Sequence, residues 1–517
     1  MDNNNKANEV FYTPYRFSGF ESIFAWLCLL LGYLFCRAFP LPDNPLGMFI
    51  VIFTALCATV AALFKKRGNF GASSIMSAAL CVVFGAAMFI SADPFAQFFA
   101  FLGSVLGYSY FVYTATGNKI EKGFSDLLPA DFLKALILMP FRRFGKLWVA
   151  MFSGKKSSNL IWKILLGAAV AVVPTLGVVS LLSYDKGFTA LLEKAFHFLK
   201  DFSLFSHLFS LSVGGIVAMY VFGIYFSCTE KKCGDTITGE ACVRLFEKVR
   251  FFPALTTAVA LLPLVVVYVF FFVSQWQYYV SGFSGALPEG LSYATYARNG
   301  FFELCAVSAI NLVALIVVSV FLRRNNTAQS VFFKIITVVI SVMTLVLIGT
   351  AMSKMALYIK EYGLTQKRVL SSWFMVLLTL VFLLIILRQF ISKIKLVSTC
   401  TAIVIAMTAL LGLSNYKTII ADYNVERYIS GDSENLDAIA LSKLGTSAVP
   451  AMTRLADYWD EQFEIPEYYG HEYIHKSLRQ QKEKLAQKEG IFTFSIPNQR
   501  AKNALEAYYE KHPLNYA

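Results

Sequence analysis

The stretch from Tyr293 to Val317 begins as a polar connector and becomes an apolar helix. Arg298 stands at its entrance, and Glu303 and Asn311 follow among apolar residues. At about 100° per residue Asn311 lies on nearly the same helical face as Glu303. An ionised carboxylate inside a membrane costs at least ~2.5 kcal/mol, so such groups normally face a protein interior or a wet cavity. The pair therefore indicates a polar contact between helices, a Glu that stays hydrated near the membrane surface, or the lining of a binding site.

A second pattern lies near the C-terminus, where residues 471–475 read HEYIH. It matches H-E-x-x-H, in which two histidines one turn apart bind zinc and the glutamate acts as a base. A catalytic zinc site also needs a third protein ligand, and the candidates by position are Glu489, Glu506 and Glu510. Because the surrounding helix is strongly charged, we predict a solvated face with no metal or cofactor at His471, Glu472 and His475. Zinc catalysis and adventitious metal binding are the alternatives.

The composition indicates the class of protein. Hydrophobic residues make up 57% of the 517-residue chain and charged residues 15%, whereas soluble domains carry about 45–50% apolar and about 25% charged residues. We therefore predict an all-α polytopic membrane protein. The formal net charge of +13 does not indicate nucleic-acid binding, because much of it lies in short loops, where it orients the protein and contacts anionic lipid head groups.

About eleven segments are apolar enough to cross a bilayer, for which a helix needs about 20 residues. Lys and Arg are concentrated after the even-numbered segments, whereas the loops after the first and third carry Asp43 and Asp93. The positive-inside tendency then places the N-terminus in the cytoplasm and the C-terminal tail on the opposite side of the membrane. The predicted spans are residues 20–39, 45–64, 73–91, 95–113, 160–182, 206–226, 251–274, 298–322, 332–351, 369–387 and 396–413.

Two connectors are unusual. Ser353–Arg368 falls outside the membrane by this alternation, yet it holds four bases and one acid. Either a span is miscounted or this basic connector has a partner. Residues 131–153 mix apolar and basic side chains, and we predict an amphipathic segment on the cytoplasmic leaflet that is interrupted at Pro140.

The chain divides into three predicted regions. Residues 1–159 hold the first four spans and the amphipathic segment, residues 160–413 hold the remaining spans, and residues 414–517 form a short extracytoplasmic tail. The tail is polar and its pattern indicates helices. They are predicted over Asp432–Leu444, Ser447–Trp459, Tyr468–Glu489 and Asn498–Lys511.

Three stretches carry a recognisable combination of residues. The first holds Tyr296 to Arg298, Gly300 to Leu304 and Asn311; the second holds Tyr358, Tyr362 to Thr365 and Arg368; the third holds Tyr423, Asn424, Arg427, Tyr428, Asp437 and Ala448 to Pro450. Their order and spacing resemble the bacterial polytopic membrane proteins catalogued only as a domain of unknown function, the 4153/4173 group. The resemblance covers roughly residues 160–460 and implies little about activity, since that family has no agreed one.

All three stretches fall at the outer face in the predicted topology. We therefore predict a membrane protein that binds or moves a small or lipidic solute at a polar site near the outer leaflet. The alternatives are a non-catalytic envelope scaffold or signalling component whose tail recruits partners, and a membrane metalloprotease using HEYIH. The predicted solute site comprises Arg298, Glu303, Asn311, Tyr362, Thr365, Lys367 and Arg368, and the tail motif comprises Asn424, Arg427 and Tyr428.

The carboxylate of Glu303 needs a partner if it is buried. An isolated buried charge shifts its pKa and becomes neutral, whereas an arginine keeps the carboxylate ionised through a fork-shaped contact. The sequence predicts that Glu303 lies within reach of Arg298 or Arg368 at the outer end of the bundle.

Overall fold

The structure is a computed structural model of the chain. It describes residues 15–152, 203–230, 252–274, 301–323, 327–462 and 469–512, with isolated residues between 167 and 188 and between 244 and 250. Six single positions inside these ranges are not among the described residues: Pro40, Arg67, Lys122, Phe124, Glu434 and Glu489.

Four antiparallel helices open the fold, and local sequence signals set their ends. They are α1 (Gly19–Ala38), α2 (Pro45–Lys65), α3 (Ala72–Ile90) and α4 (Pro94–Ala115). Before α1, the Ser18 side chain accepts the Glu21 amide and the Glu21 carboxylate accepts the Ser18 amide, which is a capping box. Before α4, the Asp93 carboxylate accepts the Ala96 amide, so the free amides of both first turns are partly satisfied.

An irregular helical segment follows α4. It consists of α5 (Leu128–Leu133), a π-helical turn (Lys134–Leu138), α6 (Met139–Arg142) and α7 (Lys146–Met151). Pro140 lies in the first turn of α6, directly after the π-turn, and the helical backbone continues through it to Arg142. The predicted interruption is therefore limited to the π-turn, where the regular α-helical hydrogen bonding is lost before the proline. The next described helix, α8 (Ser203–Thr229), packs against this segment and antiparallel to α1.

The remaining membrane helices form a second group. They are α9 (Ala254–Ser274), α10 (Phe301–Phe321), α11 (Thr327–Tyr362), α12 (Gln366–Phe390) and α13 (Leu396–Leu413). A short parallel pairing joins β1 (Phe252–Pro253) to β2 (Leu322–Arg323), with Phe252 opposite Leu322. Ten of the eleven predicted spans coincide with described helices, and span 160–182 lies outside the described residues.

Eight described helices are long and apolar enough to cross a membrane. They are α1 to α4, α8 from Ser206, α11 from Val331, α12 and α13, and shorter apolar helices cover Val259–Ser274 and Leu304–Val318. The all-α membrane bundle predicted from composition is therefore confirmed.

The prediction of a basic connector over Ser353–Arg368 is wrong. Helix α11 continues to Tyr362, and only residues 363–365 connect it to α12. A helix of 36 residues is about 54 Å long at 1.5 Å per residue, well beyond a hydrocarbon core of about 30 Å. The last turns of α11 therefore have room to project beyond the membrane, where Lys360 is exposed, whereas Lys354 about two turns earlier is buried.

The buried apolar side chains of the described residues form three clusters. The first unites α1–α4, the segment after α4, and α8. The second unites the tail with Ala96 of α4, Leu411 of α13 and part of α12, and the third unites α9, α10, α11 and α12. Helix α8, which the predicted regions place with residues 160–413, thus buries its face in the N-terminal group. The boundary at residue 159 itself stays a prediction, since residues 153–166 are not described.

Polar contacts show which loops share an end of the bundle. The amides of Val397 and Ser398, at the start of α13, donate to the carboxylate of Asp126 after α4. At the opposite end, Asp93 between α3 and α4 contacts Lys417 after α13. The bundle thus has one end formed by the loops after α2, α4 and α12, and another formed by the loops after α1, α3, α11 and α13.

The tail lies on this second end. Its helices are α14 (Tyr416–Ile429), α15 (Ala438–Ser442), α16 (Val449–Gln462), α17 (Tyr469–Ala486) and α18 (Ile496–Lys511), with 3₁₀ turns at Gly445–Ala448 and Ile491–Thr493. The last three predicted tail helices match the observed ones within a few residues, whereas the first, predicted over Asp432–Leu444, is helical only over Ala438–Ser442. Helix α14 precedes them and was not predicted. Lys488 pairs with Asp43 at 3.2 Å, so the tail also touches the loop between α1 and α2.

Candidate functional site

The second and third motif stretches meet at the C-terminal end of α11. The amide of Leu364 donates to Oδ1 of Asn424 at 2.7 Å, and Nδ2 of Asn424 donates to the Leu364 carbonyl at 2.8 Å. Gly363 precedes this residue with φ +71°, and a Cβ there would overlap Oδ1 of Asn424. The turn therefore requires glycine both for its backbone conformation and for the close approach of α14.

Two motif arginines bind carbonyl groups at the C-terminus of α11, where the Ile359 carbonyl also accepts the Gly363 amide at 2.8 Å. Arg427 of α14 donates to the carbonyls of Ile359 at 3.3 Å and Lys360 at 2.6 Å. Arg368 of α12 donates to the Tyr362 carbonyl at 2.9 Å and to that of Gly363. These cations also oppose the negative end of the helix dipole. We call the set Gly363, Leu364, Arg368, Asn424 and Arg427 the helix-end clamp.

The neighbouring predicted residues support the clamp or face solvent. The hydroxyl of Thr365 accepts the Arg368 amide and caps α12, and the Arg368 guanidinium lies 3.9 Å from the ring centre of Tyr358. Tyr362 and Lys367 are exposed. The hydroxyl of Tyr428 accepts a hydrogen bond from Nε1 of Trp459 in α16 at 3.2 Å.

Asn311 joins three membrane helices. Its carboxamide oxygen accepts a hydrogen bond from the hydroxyl of Tyr268 in α9, and Nδ2 donates to Oγ1 of Thr344 in α11 at 2.8 Å. The side chain is fully buried, about half-way along α10. These contacts agree, for Asn311, with the interpretation of a polar contact between helices. The side chains of Arg298 and Glu303 lie outside the described residues, so their pairing stays a prediction.

An open apolar groove runs beside this junction. It has a volume of about 460 Å³ and is lined by Val269, Phe272 and Val273 of α9 and by Met343 of α11. Two of these residues are next in sequence to Tyr268 and Thr344. The groove therefore offers an apolar surface of the kind that a lipid chain covers.

Asp93 forms a buried polar junction that the sequence did not single out. Its carboxylate is 2.8 Å from Nζ of Lys417 and accepts a hydrogen bond from the Tyr416 hydroxyl at 2.7 Å. Nε2 of Gln366 donates to the same hydroxyl at 3.0 Å. Burial and the neighbouring carboxylate raise the pKa of Tyr416, so this hydroxyl stays a donor. The α3–α4 turn is thus bound to both α12 and α14.

The HEYIH pattern meets a third possible ligand in the folded tail. Nε2 of His471 is 2.7 Å from Oδ1 of Asp460 and 3.0 Å from Nε2 of His475. Asp460 comes from α16, whereas both histidines come from α17. Sequence reasoning considered only downstream glutamates, and no local signal links Asp460 to HEYIH. Glu472, the general base of the protease alternative, is exposed.

Tyr508 of α18 holds two members of this cluster. Its hydroxyl is 3.1 Å from Oδ2 of Asp460 and 3.2 Å from Nδ1 of His475. Burial lowers the pKa of His475, the adjacent His471 lowers it further, and Asp460 acts in the opposite direction. The lowered pKa favours a neutral imidazole, which is the form that binds metals.

The fold and these contacts define a polytopic α-helical membrane protein with a helical tail packed on one end of the bundle. A family model described as "Domain of unknown function (DUF4153)" matches residues 25–455, and the chain belongs to this family. No curated protein and no solved structure matches the chain. The matched residues include the helix-end clamp and Asp93, and end before Asp460.

Proposed function

We propose that this protein is an envelope scaffold, in which the membrane bundle holds the helical tail rigidly at the extracytoplasmic face and the tail is the part that binds partners. The observation that carries this proposal is the helix-end clamp. Asn424 and Arg427 of the tail satisfy backbone groups of α11 and of the turn after it. Residues that resemble a solute site in sequence are thereby occupied in joining tail and bundle.

The orientation is part of the proposal. Asp43 and Asp93 lie at the end that carries the tail, whereas Lys65, Lys66 and Lys395 lie at the other end. By the positive-inside tendency, the basic end is cytoplasmic, where it also contacts anionic lipid. The tail then lies outside a bacterial plasma membrane.

Two variants distinguish a scaffold from a transporter. A chain ending after Gly431 keeps the helix-end clamp and the Asp93 junction but loses α15–α18. A full-length chain with Glu303→Ala keeps the tail and loses the predicted solute carboxylate. Both are expressed in a strain lacking the protein, and rescue of its growth or envelope defect is compared at matched amounts in the membrane.

A scaffold predicts that the shortened chain fails to rescue and that Glu303→Ala rescues normally. The opposite pattern, with rescue lost only in Glu303→Ala, contradicts the proposal. A full-length chain with Glu472→Gln is the control, because this exposed side chain should not affect rescue in either case.

A second candidate, binding of a lipidic solute, is favoured by the groove beside Tyr268. A bulky side chain introduced into the lining of the groove would fill the space that a lipid chain occupies. Purified protein with Val273→Trp should then lose co-purified lipid that mass spectrometry detects in the unsubstituted protein. Equal lipid in the two proteins contradicts this candidate.

A further inference from the structure

The two histidines of HEYIH and Asp460 converge on one point. Nε2 of His471, Nε2 of His475 and Oδ1 of Asp460 form a triangle with sides of 2.7, 3.0 and 3.4 Å. Two imidazoles and a carboxylate are a ligand set that zinc and related divalent ions use. The atoms come from two helices that are separate in sequence, so the tertiary fold creates the arrangement.

The spacing suits coordination. An ion bonded at about 2.0–2.1 Å to each ligand separates neighbouring ligand atoms by about 2.8–3.0 Å at a bond angle of 90° and by about 3.3–3.4 Å at the tetrahedral angle. The sides of 3.0 and 3.4 Å fall within these limits. For tetrahedral zinc, the 2.7 Å contact between His471 and Asp460 has to lengthen by about 0.6 Å and the contact between the two histidines by about 0.3 Å.

Without a metal ion, the hydrogen-bond donors of this cluster are too few for its acceptors. A neutral imidazole carries one N–H and one lone pair. If Nδ1 of His475 donates to Tyr508 and Tyr508 donates to Oδ2 of Asp460, Nε2 of His475 is left with its lone pair. His471 then has a single Nε2 proton to offer both Asp460 and His475. A cation in place of that proton satisfies all three ligand atoms at once.

The surroundings also fit a metal ion. Tyr508 fixes the ring of His475 and the carboxylate of Asp460 from behind, as hydrogen-bonded partners commonly orient metal ligands. The side chains of His471, His475 and Asp460 remain 14%, 33% and 23% exposed. A fourth coordination position would therefore be open to water.

We propose that Asp460, His471 and His475 bind one divalent transition-metal ion, with zinc as the reference ion and one position left to solvent. This site is distinct from the helix-end clamp and does not depend on the proposed scaffold function. It replaces the prediction of a merely solvated helix face at HEYIH.

Zinc content of the purified full-length protein tests the site. The protein carries no histidine tag, is stripped with a chelator and is dialysed against Zn²⁺. Elemental analysis should then find about one zinc per chain. His475→Ala and Asp460→Asn should each lose this zinc. Asp460→Asn is the more specific variant, because asparagine removes the negative charge but retains an oxygen that accepts a hydrogen bond from His471.

Two controls and one partial variant complete the experiment. Glu472→Gln and His207→Gln should keep the zinc, since one alters an exposed residue of the pattern and the other a histidine of α8. Tyr508→Phe should keep one zinc but bind it about 10–100-fold more weakly, as expected for the loss of a partner that orients the ligands. Titration with Co²⁺, followed by its visible absorption, measures these affinities independently of zinc contamination.

A thermal melt separates loss of the site from loss of the fold. An ion that binds the folded state raises the unfolding midpoint, so Zn²⁺ should raise it in the unsubstituted protein and not in Asp460→Asn. Equal zinc in the unsubstituted protein and in Asp460→Asn, or no zinc above that of a chain with all three ligands replaced, overturns the proposal. Such zinc would be adventitious.

Discussion

Arg368, Asn424 and Arg427 show how chemical type can mislead at the scale of single residues. Their charge and amide groups suggest recognition of a polar solute, but every hydrogen bond made by the side chains of Asn424 and Arg427 in the described part of the chain goes to backbone groups. A long helix that ends outside the membrane leaves carbonyl groups unpaired. These side chains satisfy them, so their first role is structural.

Replacement of Gly363 tests the helix-end clamp. Gly363→Ala introduces a Cβ at positive φ and pushes it into Asn424. The left-handed backbone costs about 1–2 kcal/mol, and loss of the Asn424 hydrogen bonds should add about 1–3 kcal/mol. The thermal unfolding midpoint in detergent should fall markedly.

Gly445→Ala is the matched control for this substitution. Gly445 has φ +70°, and a Cβ added there would meet no neighbouring atom within 4 Å. Only the backbone term of about 1–2 kcal/mol applies there. Equal destabilisation by the two substitutions would show that contact with Asn424 contributes nothing.

Two kinds of contact hold the helices together at the scale of elements. Buried polar groups bind helix ends, as at Asp93, and close backbone approach joins helix faces, as between α1 and α8. A buried ion pair is costly to break because the remaining charge is left without a partner. Close helix contact depends instead on the absence of side chains.

Substitution of Asp93 tests whether its buried ion pair with Lys417 contributes more to stability than an exposed ion pair does. Asp93→Ala leaves Lys417, whose side chain is only 11% exposed, without its carboxylate, at a cost of ~3–5 kcal/mol. Lys417→Met in the same chain should recover part of this loss, as expected for directly coupled residues. Thermal unfolding in detergent provides the measurement.

The exposed pair at the same end serves as the control. Asp43→Ala removes the contact with Lys488, in which the side chains are 58% and 33% exposed. Surface pairs contribute about 0–1 kcal/mol, so the effect should be small. If Asp93→Ala is no more damaging than Asp43→Ala, the junction does not hold the tail to the bundle.

Replacing glycine by alanine should change the stability of the bundle in opposite directions at two adjacent positions of α8. A Cβ on Gly214 would lie 2.5 Å from the Gly32 carbonyl oxygen, whereas one on Gly215 would meet only Trp148 at 3.8 Å. Gly214→Ala should therefore destabilise the bundle by about 1–3 kcal/mol through overpacking. Gly215→Ala should stabilise it by about 0.5–1 kcal/mol, because alanine is the better helix former.

The two substitutions are compared by thermal unfolding of the purified proteins. A stabilising Gly214→Ala would mean that α1 and α8 are further apart than the contact between Gly32 and Gly214 requires. A destabilising Gly215→Ala would instead indicate crowding at Trp148.

The two ends of the whole molecule differ in the loops that connect neighbouring helices. The tail covers the end with Asp43 and Asp93, where Lys417, Arg368 and Arg427 are held by contacts with the bundle, and the loops after α2 and α12 at the other end are basic. The predicted topology and the arrangement of the helices agree on which loops lie together. Orientation in the membrane then depends on the charge difference between the ends.

Reporter fusions test this orientation. A reporter active only in the cytoplasm should be silent after Ala517 and active when inserted between Ile391 and Lys395, which connect α12 to α13. The pair of fusions controls for expression, since both proteins share the same spans. Activity at both positions, or only after Ala517, would contradict an extracytoplasmic tail.

The sequence by itself determined the membrane class, the positions of ten of the described apolar helices and three helices of the tail. These follow from local hydrophobicity and periodicity, which need no information about distant residues. It did not determine that α11 runs through its basic segment to Tyr362, because hydropathy marks only the part of a helix that lies in lipid.

Only the tertiary structure decided what the polar residues contact. Arg427 meets α11, Lys417 meets Asp93, and Asp460 meets the histidines of HEYIH across separations that no local spacing encodes. Hydrogen bonds and ion pairs act over about 3–4 Å, so their partners depend on how helices pack. A residue's chemical type was readable from the sequence, whereas its partner was set by the fold.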